Sequence, residues 1–371
     1  MAKHNKDIDT EKKFELKKVW QFLKKLFQKV WHRVGNFEYR KFVKKLWQKI
    51  KDIKQKLKKN KTIGKILRIF GNSGKIIITV AVTFLFFYYF IGSAVVENID
   101  IKTKYKGDTS KTPTFETART MSFLIKREID EKMWTPNLPL VFPAYALDNM
   151  PNFQRGMIAA VRDVSSALVE FSKNNETQAK AAEKAYKLLS YSPDVWLMSK
   201  KGVFNLAPSS NSQYRKAAKE LRVFSAKGIF VPYESDLKTL LEKMKKGLLK
   251  ATQKSEKRQR EHSADWFDTK ADDLFYYNKG YAFSLAQIAE ILAADYKEIL
   301  LKYDLYEPWT HLVADLTRCA EMRTHMVRNG KTDAVFSANH LLAQNYFMLK
   351  AVLTIEELLK NLAKAENANQ I

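Results

Sequence analysis

The chain has 371 residues, of which 28% are charged and 12% aromatic, and it carries 65 Lys and Arg against 40 Asp and Glu, a formal net charge of +25. This composition is too polar for a membrane protein with many spans, and it holds too many aromatic residues for a disordered chain. The single cysteine, Cys319, excludes an intramolecular disulfide and a zinc site built from cysteines.

The positive charge is concentrated at the N-terminus. Residues 1–75 hold 24 Lys and Arg against 6 Asp and Glu, a net of +18, whereas the other 296 residues carry a net of +7. Within this segment, residues 22–30 (FLKKLFQKV) and 42–50 (FVKKLWQKI) share six of nine positions. The apolar residues of both stretches follow helical spacing, so we expect two basic amphipathic helices with a break near Gly35.

These helices have the composition of helices that lie on a membrane surface, with aromatic residues and leucine on one face and lysine on the other. We therefore expect the lipid bilayer, at its anionic inner leaflet, to be the partner of this segment. The residues predicted to contact it are Trp20, Lys24, Lys25, Phe27, Trp31, Lys44, Lys45 and Trp47. A helical hairpin or coiled coil and binding to nucleic-acid phosphates remain as alternatives. The apolar run that follows, residues 76–96, would hold this segment at a membrane and therefore favours the lipid. No nucleic-acid partner is expected.

Residues 76–96 (IIITVAVTFLFFYYFIGSAVV) contain no charge. As a helix they would extend about 31 Å, which matches a bilayer core of about 30 Å. The 75 residues that precede the run, and its length, argue against a cleaved signal peptide. The excess of Lys and Arg before the run predicts that the N-terminus stays in the cytoplasm. We thus expect a single-pass membrane protein with a cytoplasmic segment (1–75), a transmembrane helix (76–96), a stalk (97–114) and an exported domain (115–371).

The exported part has the periodicity of helices, and no alternating strand pattern is convincing. Thr114 is placed to cap the first helix. Three prolines exclude a long helix over 135–148, and the charged residues 253–263 are expected to form a bridge between helices. The predicted helices are 115–132, 151–173, 176–190, one through Tyr214 and Leu221, 233–255, 271–303, 308–328 and 332–365. The fold class is therefore all-α, with a multi-helix periplasmic bundle.

The sequence contains none of the common catalytic or nucleotide-binding motifs. Polar residues that could meet on facing helices are Asp272, Asp273, His311, Asp315, His325, Asn339 and His340. Carboxylates and imidazoles can bind a metal, but acidic residues near a helix N-terminus are common for electrostatic reasons. We expect no cofactor and no metal. Five residues remain as weak catalytic candidates: Asp272, Asp273, His311, Asp315 and His340.

The stretch LDNMPN (147–152) is typical of the start of a helix. Asp148 or Asn149 can satisfy free N–H groups of the first turn, and the following proline suits that turn. The alternative is a binding role, in which Asp148, Asn149 and Asn152 contact a protein partner.

Four separated stretches resemble a family of unknown function found among proteobacterial single-pass inner-membrane proteins. They are LDNMPNFQRGMIAAVRDVSSAL (147–168), APSSNSQYRKAAKEL (207–221), DDLFYYNKGYAFSLAQIAEIL (272–292) and ANHLLAQNYFMLKAVLTIEEL (338–358). Their order and spacing extend the resemblance over roughly residues 115–360, without the lysine-rich first 60 residues. The resemblance implies a short cytoplasmic part, one transmembrane helix and a helical periplasmic domain. It implies no activity and no catalytic residue.

The function predicted from these features is a non-enzymatic envelope scaffold or assembly factor, whose periplasmic helices bind an unidentified envelope protein. A homo-oligomer is an open alternative. The alternative function is a periplasmic, metal-assisted hydrolase that acts on an envelope polymer.

Overall fold

The computed structural model of the protein describes residue 48 and residues 71–107, 114–172, 175–196, 207–226, 230–263, 268–324, 326–331 and 338–368. Over these ranges the predicted all-α class is confirmed, with ten α-helices and no strand. The helices are α1 (Gly71–Val96), α2 (Glu116–Lys126), α3 (Asn149–Phe171), α4 (Glu176–Leu189), α5 (Ser210–Ala226), α6 (Glu234–His262), α7 (Thr269–Asp295), α8 (Lys297–Lys302), α9 (Tyr306–Glu321) and α10 (His340–Ala368). A π-helical turn, Arg127–Glu131, follows α2, and a 3-10 turn, Pro143–Ala146, precedes α3.

The chain divides into two units, Met1–Phe84 and Leu85–Ile371, with the boundary inside α1. The first unit contributes residue 48 and the beginning of α1 to the described structure. The second unit holds the end of α1 and helices α2 to α10, which share one large apolar core beside a small second one around Phe275.

Helix α7 is the central helix of the second unit and packs against α2, α3, α6, α9 and α10. Residues 278–289 are buried without interruption. A helix buried on all sides has no polar face, which explains why α7 shows no amphipathic pattern. Its buried Lys279 donates hydrogen bonds to the carbonyls of Ala320, at 2.5 Å, and Met322, at 2.6 Å. This lysine thereby satisfies backbone groups at the C-terminus of α9, where a positive charge is favourable.

Helices α3 and α7 cross at two glycines. A Cβ atom at Gly156 would lie 2.0 Å from the carbonyl oxygen of Tyr277, and one at Gly280 would lie 1.9 Å from that of Phe153. Both distances are far shorter than any van der Waals contact, so the two backbones can approach this closely only where side chains are absent.

Several helix boundaries differ from the prediction. The helix predicted over 308–328 ends at Glu321, and the one predicted over 332–365 begins at His340. The charged stretch 253–263 does not form a bridge, because α6 continues to His262. Its exposed charges pair one turn apart, as in Lys257–Glu261 and Glu256–Arg260. Such pairs stabilise an exposed helix that has no apolar face. Helix α7 ends at Asp295, and the short helix α8 follows Tyr296 in place of a continuous helix to residue 303.

The N-terminus of α2 is capped by a residue distant in sequence. The prediction that Thr114 caps this helix is wrong, since Phe115 occupies the N-cap position and provides no side-chain hydrogen bond. The carboxylate of Asp295 accepts hydrogen bonds from the backbone N–H of Glu116, at 3.3 Å, and of Thr117, at 2.9 Å. The last residue of α7 therefore fixes the start of α2.

The segment 97–107, predicted as part of a stalk, contacts α7 and α2. The Lys104 ammonium lies 2.7 Å from the Glu290 carboxylate of α7. The hydroxyl of Tyr105 donates to the Glu116 carboxylate at 2.9 Å. Two isoleucines of the segment also pack against the large core, so these residues lie on the helical domain.

Candidate functional site

Helix α1 contains the apolar run Ile76–Val96, whose mean hydropathy is 2.1. Its side chains are exposed, with exposed fractions of 65% for Ile77, 65% for Phe84 and 66% for Phe90. Among the helices of the described ranges it is the one long and apolar enough to span a membrane, by length and composition. An exposed apolar surface of this size is typical of a surface that binds lipid or protein.

Two groups of candidate residues that lie far apart in the sequence meet at the N-termini of α3 and α7. The side-chain amide of Asn152 donates a hydrogen bond to the Asp273 carboxylate at 2.5 Å. On both helices this contact comes four residues before the close approach of Gly156 and Tyr277. The first turns of the two helices thus lie next to each other. The carboxylates that influence one another there form what we call the acidic group: Glu97, Asp148, Asp272 and Asp273.

Asp272 is the residue of the acidic group whose ionisation is most disfavoured. Partial burial raises the pKa of its carboxyl to about 7, and the charges of Asp148, Asp273 and Glu97 act in the same direction. Burial also raises the pKa of Asp273, while the hydrogen bond from Asn152 opposes that change. A carboxyl group with a pKa near 7 exchanges its proton at neutral pH, which is the property that general acid–base chemistry needs.

Asn152 is the residue that joins the two helices at this end. Its side-chain amide also donates to the backbone carbonyl of Asp148 at 2.9 Å, and its side-chain oxygen accepts from Arg155 at 2.9 Å. Arg155 in turn lies 2.8 Å from the carboxylate of Asp194. The predicted helix-capping role of Asp148 is not observed, because its side chain makes no capping hydrogen bond.

Asn149 links the acidic group to the end of α1. Its side-chain amide donates to the Glu97 carboxylate at 3.3 Å. Since Glu97 directly follows Val96, the acidic group lies next to the last turn of the apolar helix within the second unit.

A buried ion pair next to α3 was not predicted from the sequence. Arg127 is fully buried in the π-helical turn, and its guanidinium lies 2.7 Å from the Glu128 carboxylate and 4.7 Å from the centre of the Phe283 ring. Glu128 also accepts a hydrogen bond from Gln154 of α3 at 3.0 Å. A buried charge pair with this many hydrogen bonds orders the packing around it. The sequence signal that could have identified it is the adjacent Arg127 and Glu128 in the helix predicted over 115–132.

Two other catalytic candidates have partners on α9 and α10. Asp315 is buried, and its carboxylate lies 3.2 Å from the Lys350 ammonium. His311 has a side chain that is 67% exposed and lies 3.9 Å from the carboxylate of Glu307. Although they are four residues apart on one helix, the aspartate is buried and the histidine points to solvent.

His340 begins α10, and its Nδ1 atom accepts a hydrogen bond from the backbone N–H of Arg328 at 2.9 Å. Its ring packs edge-on against Phe275, with 6.4 Å between the ring centres. Burial lowers the pKa of this imidazole. In the part of the chain that the structure describes, no three His, Cys, Asp or Glu side chains are arranged to hold a metal ion.

The predicted membrane-surface residues Trp20, Lys24, Lys25, Phe27, Trp31, Lys44, Lys45 and Trp47 lie outside the described residues. Their role stays a prediction from the sequence.

Part of the chain is similar to a bacterial family without known function. Residues 233–365 match the model of a domain of unknown function, DUF2333, described as an uncharacterized protein conserved in bacteria. The match covers α6 to α10, including two of the four stretches that carried the family resemblance, 272–292 and 338–358. Neither the curated proteins nor the solved structures gave a match.

Proposed function

We propose that this chain is a single-pass inner-membrane protein with its N-terminus in the cytoplasm and its helical domain in the periplasm. Helix α1 carries the proposal, since Ile76–Val96 is 21 residues long, has a mean hydropathy of 2.1 and exposes its apolar side chains. The excess of Lys and Arg before this run sets the orientation.

A reporter that is active only in the periplasm, fused after Ile371, tests this topology. We expect an active fusion and an inactive one when the same reporter follows residue 60. The reverse result would place the helical domain in the cytoplasm. Inactive fusions at both positions, with full-length protein present in the soluble fraction, would remove α1 as a membrane span.

The proposed role in the envelope is that of a non-enzymatic scaffold or assembly factor. Support comes from the architecture, one apolar helix followed by a helical domain, and from the absence of common catalytic motifs in the sequence. The acidic group, at the end of α1, is the surface where we expect an envelope protein to bind through Asp148, Asn149 and Asn152.

Site-specific photocrosslinking in intact cells tests this surface. A photoreactive residue at the exposed Asp148 should capture a defined protein, whereas the same residue at the exposed Leu301 on α8 should not. Capture of the same proteins from both positions would argue against a specific surface. Stoichiometric metal in the purified full-length protein would favour the metal-assisted hydrolase.

The basic segment is proposed to bind the anionic inner leaflet. Each Lys or Arg close to such a surface contributes about 1 kcal/mol. A peptide of residues 12–58 should become helical on vesicles with anionic lipids and stay unordered on neutral ones. Equal helicity without lipid, together with self-association, would support the coiled-coil alternative.

A further inference from the structure

An uncharged loop lies exposed beside the end of α1. Residues 137–147 (NLPLVFPAYAL), which we call the apolar loop, contain no charged residue, although 28% of the chain is charged. The exposed fraction is 63% for Leu140, 69% for Val141 and 55% for Tyr145. Large apolar side chains exposed side by side are typical of a surface that binds a partner.

The apolar loop packs along one face of α1. Three hydroxyl groups of the helix donate hydrogen bonds to backbone carbonyls of the loop: Tyr88 to Val141 at 2.9 Å, Tyr89 to Leu140, and Ser93 to Pro143 at 2.7 Å. A Cβ atom at Gly92 would lie 2.4 Å from the Cβ atom of Pro143. The helix positions on this face, residues 89, 92, 93 and 96, are less exposed than most of their neighbours. The loop and the helix end therefore fit one another closely.

These contacts lie inside the apolar run and not beyond its end. Ser93 and Tyr89 come three and seven residues before Val96. At 1.5 Å per residue they lie about 5 and about 10 Å below it. The apolar faces of helices that lie in the membrane interface reach a similar depth, about 5–10 Å into the boundary between headgroups and acyl chains. A bilayer that covers all of Ile76–Val96 therefore also reaches the loop.

Part of the backbone of the apolar loop is hydrogen-bonded within the protein. Irregular backbone is tolerated at membrane depth only where its polar groups are bonded within the protein. The carbonyls of residues 140, 141 and 143 accept from α1. Four N–H groups of the loop are bonded to nearby carbonyls, those of Leu138, Phe142, Tyr145 and Leu147. The two prolines, at 139 and 143, have no N–H group to satisfy.

We propose that the apolar loop inserts into the leaflet on the side of the helical domain and holds that domain against the membrane. The occupant is lipid because the loop continues the apolar surface of α1 at the same depth. Aromatic residues at its edge suit the interface: Tyr145 is exposed, and the Phe142 ring packs against Trp196, with 6.5 Å between ring centres. The inference rests on the proposed role of α1 as a membrane span.

Depth-dependent fluorescence quenching of the full-length protein tests this insertion. Single cysteines at Val141→Cys and Tyr145→Cys would carry an environment-sensitive fluorophore, in vesicles of phosphatidylethanolamine and phosphatidylglycerol. Spin-labelled lipids would carry the nitroxide near the headgroup or near the middle of the chain. Val82→Cys, within the apolar run, and Leu301→Cys, exposed on α8, serve as controls. Cys319 is buried, so the chain without an added cysteine should stay unlabelled.

We expect the fluorophores at 141 and 145 to be quenched by the shallow label more than by the deep one, the one at 82 to be quenched by the deep label, and the one at 301 to remain unquenched. Quenching at 82 without quenching at 141 and 145 would overturn the insertion and leave the topology intact, whether water, a second copy or another protein covers the loop. Absence of quenching at 82 would overturn the membrane span and the insertion together.

Discussion

Asp268 and Asp272 stand one turn apart at the start of α7 and are held in opposite electrostatic environments. Asp268 accepts a hydrogen bond from the Ala271 N–H at 3.0 Å and pairs with Arg258. Burial acts to raise its pKa, but these bonds lower it below the usual value. Asp272 is partly buried among other carboxylates, and its pKa is raised to about 7. The anionic form of Asp268 therefore stabilises the fold, whereas the anionic form of Asp272 destabilises it.

The raised pKa of Asp272 predicts a pH-dependent stability. Below about pH 4 the carboxyl is protonated in both the folded and the unfolded chain and contributes nothing. Between about pH 4 and pH 7 only the unfolded chain loses this proton, so its contribution to the free energy of unfolding falls as pH rises. At pH 8 the cost is about 1–2 kcal/mol, after allowance for partial exposure. Asp272→Asn should remove this slope and raise stability at pH 8, as measured by urea unfolding of the detergent-solubilised full chain.

Asp268→Asn is the matched comparison, because it changes the same functional group at the same helix end. Its loss of charge should lower stability at pH 7 by about 1–2 kcal/mol, because the charge-assisted hydrogen bonds from Arg258 weaken, whereas the amide oxygen can still accept the capping hydrogen bond. Stabilisation by both variants, or by neither, would contradict the opposite environments described above.

Asp295 is a second carboxylate whose position matters more than its charge. An acidic residue in the last turn of a helix is disfavoured by the dipole of its own helix, and this anomaly is the sequence signal that it serves another element. Asp295→Ala should cost about 2 kcal/mol, because two N–H groups of α2 lose their acceptor. Glu290 lies on the same helix as Asp295 and makes an exposed ion pair with Lys104 of the segment 97–107. Glu290→Ala, which removes this pair, should cost less than about 1 kcal/mol. Equal losses in thermal unfolding would mean that Asp295 does not cap α2.

At the scale of helices, the crossing of α3 and α7 sets the geometry of the acidic group. Gly156→Ala or Gly280→Ala would place a Cβ atom about 2 Å from backbone of the other helix, which only a shift of a helix can relieve. Overpacking costs about 1–3 kcal/mol, more than the gain of about 1 kcal/mol in helix propensity. We expect a lower urea midpoint for both variants and a lower pKa of Asp272, since its surroundings open to water.

Gly107→Ala is the control, because a Cβ atom there meets nothing within 4 Å. It should leave the urea midpoint unchanged. A crossing variant as stable as this control would show that the helices adjust without cost.

The helices were predictable where one face is apolar and the other polar. The helix predicted over 176–190 is observed at Glu176–Leu189, because alanines at spacings of three and four mark its buried side. The pattern of apolar residues failed to predict two helix ends, for different reasons. Asp295, the last residue of α7, is bonded to α2, which is distant in sequence, whereas α6 continues to His262 through ion pairs one turn apart.

The candidate site was predictable in its parts and not as a whole. Asn152 was predicted as a binding residue and Asp273 as a weak catalytic candidate, but the hydrogen bond that joins them spans 121 positions. Helical periodicity says which face of a helix is buried and not which helix covers it. The apolar loop was recognised only as a stretch that prolines keep from forming a long helix. Its bonds to the tyrosines of α1 depend on tertiary structure.

At the scale of the whole molecule, the net charge of +25 has a positional meaning. The N-terminal 75 residues carry +18, ahead of the apolar run, while the remainder is close to balanced. Orientation in a membrane responds to Lys and Arg within about 15–20 residues of a span, not to the total charge. Seven basic residues lie in the 20 positions before Ile76 and four in the 20 after Val96. The difference in basic residues across the span is therefore smaller than the total charge suggests, and a few substitutions can reverse it.

Neutralising the seven basic residues next to the span should change the topology. They are Lys56, Lys58, Lys59, Lys61, Lys65, Arg68 and Lys75, each replaced by Gln. The excess then lies after the span, so the activity of a periplasmic reporter fused after Ile371 should fall several-fold. The control replaces seven lysines beyond the effective distance, at positions 3, 6, 12, 13, 17, 18 and 24, with the same change in total charge. That variant should keep the reporter active, since only nearby charges orient a span. Equal loss in both variants would show that the total charge, and not its position, matters.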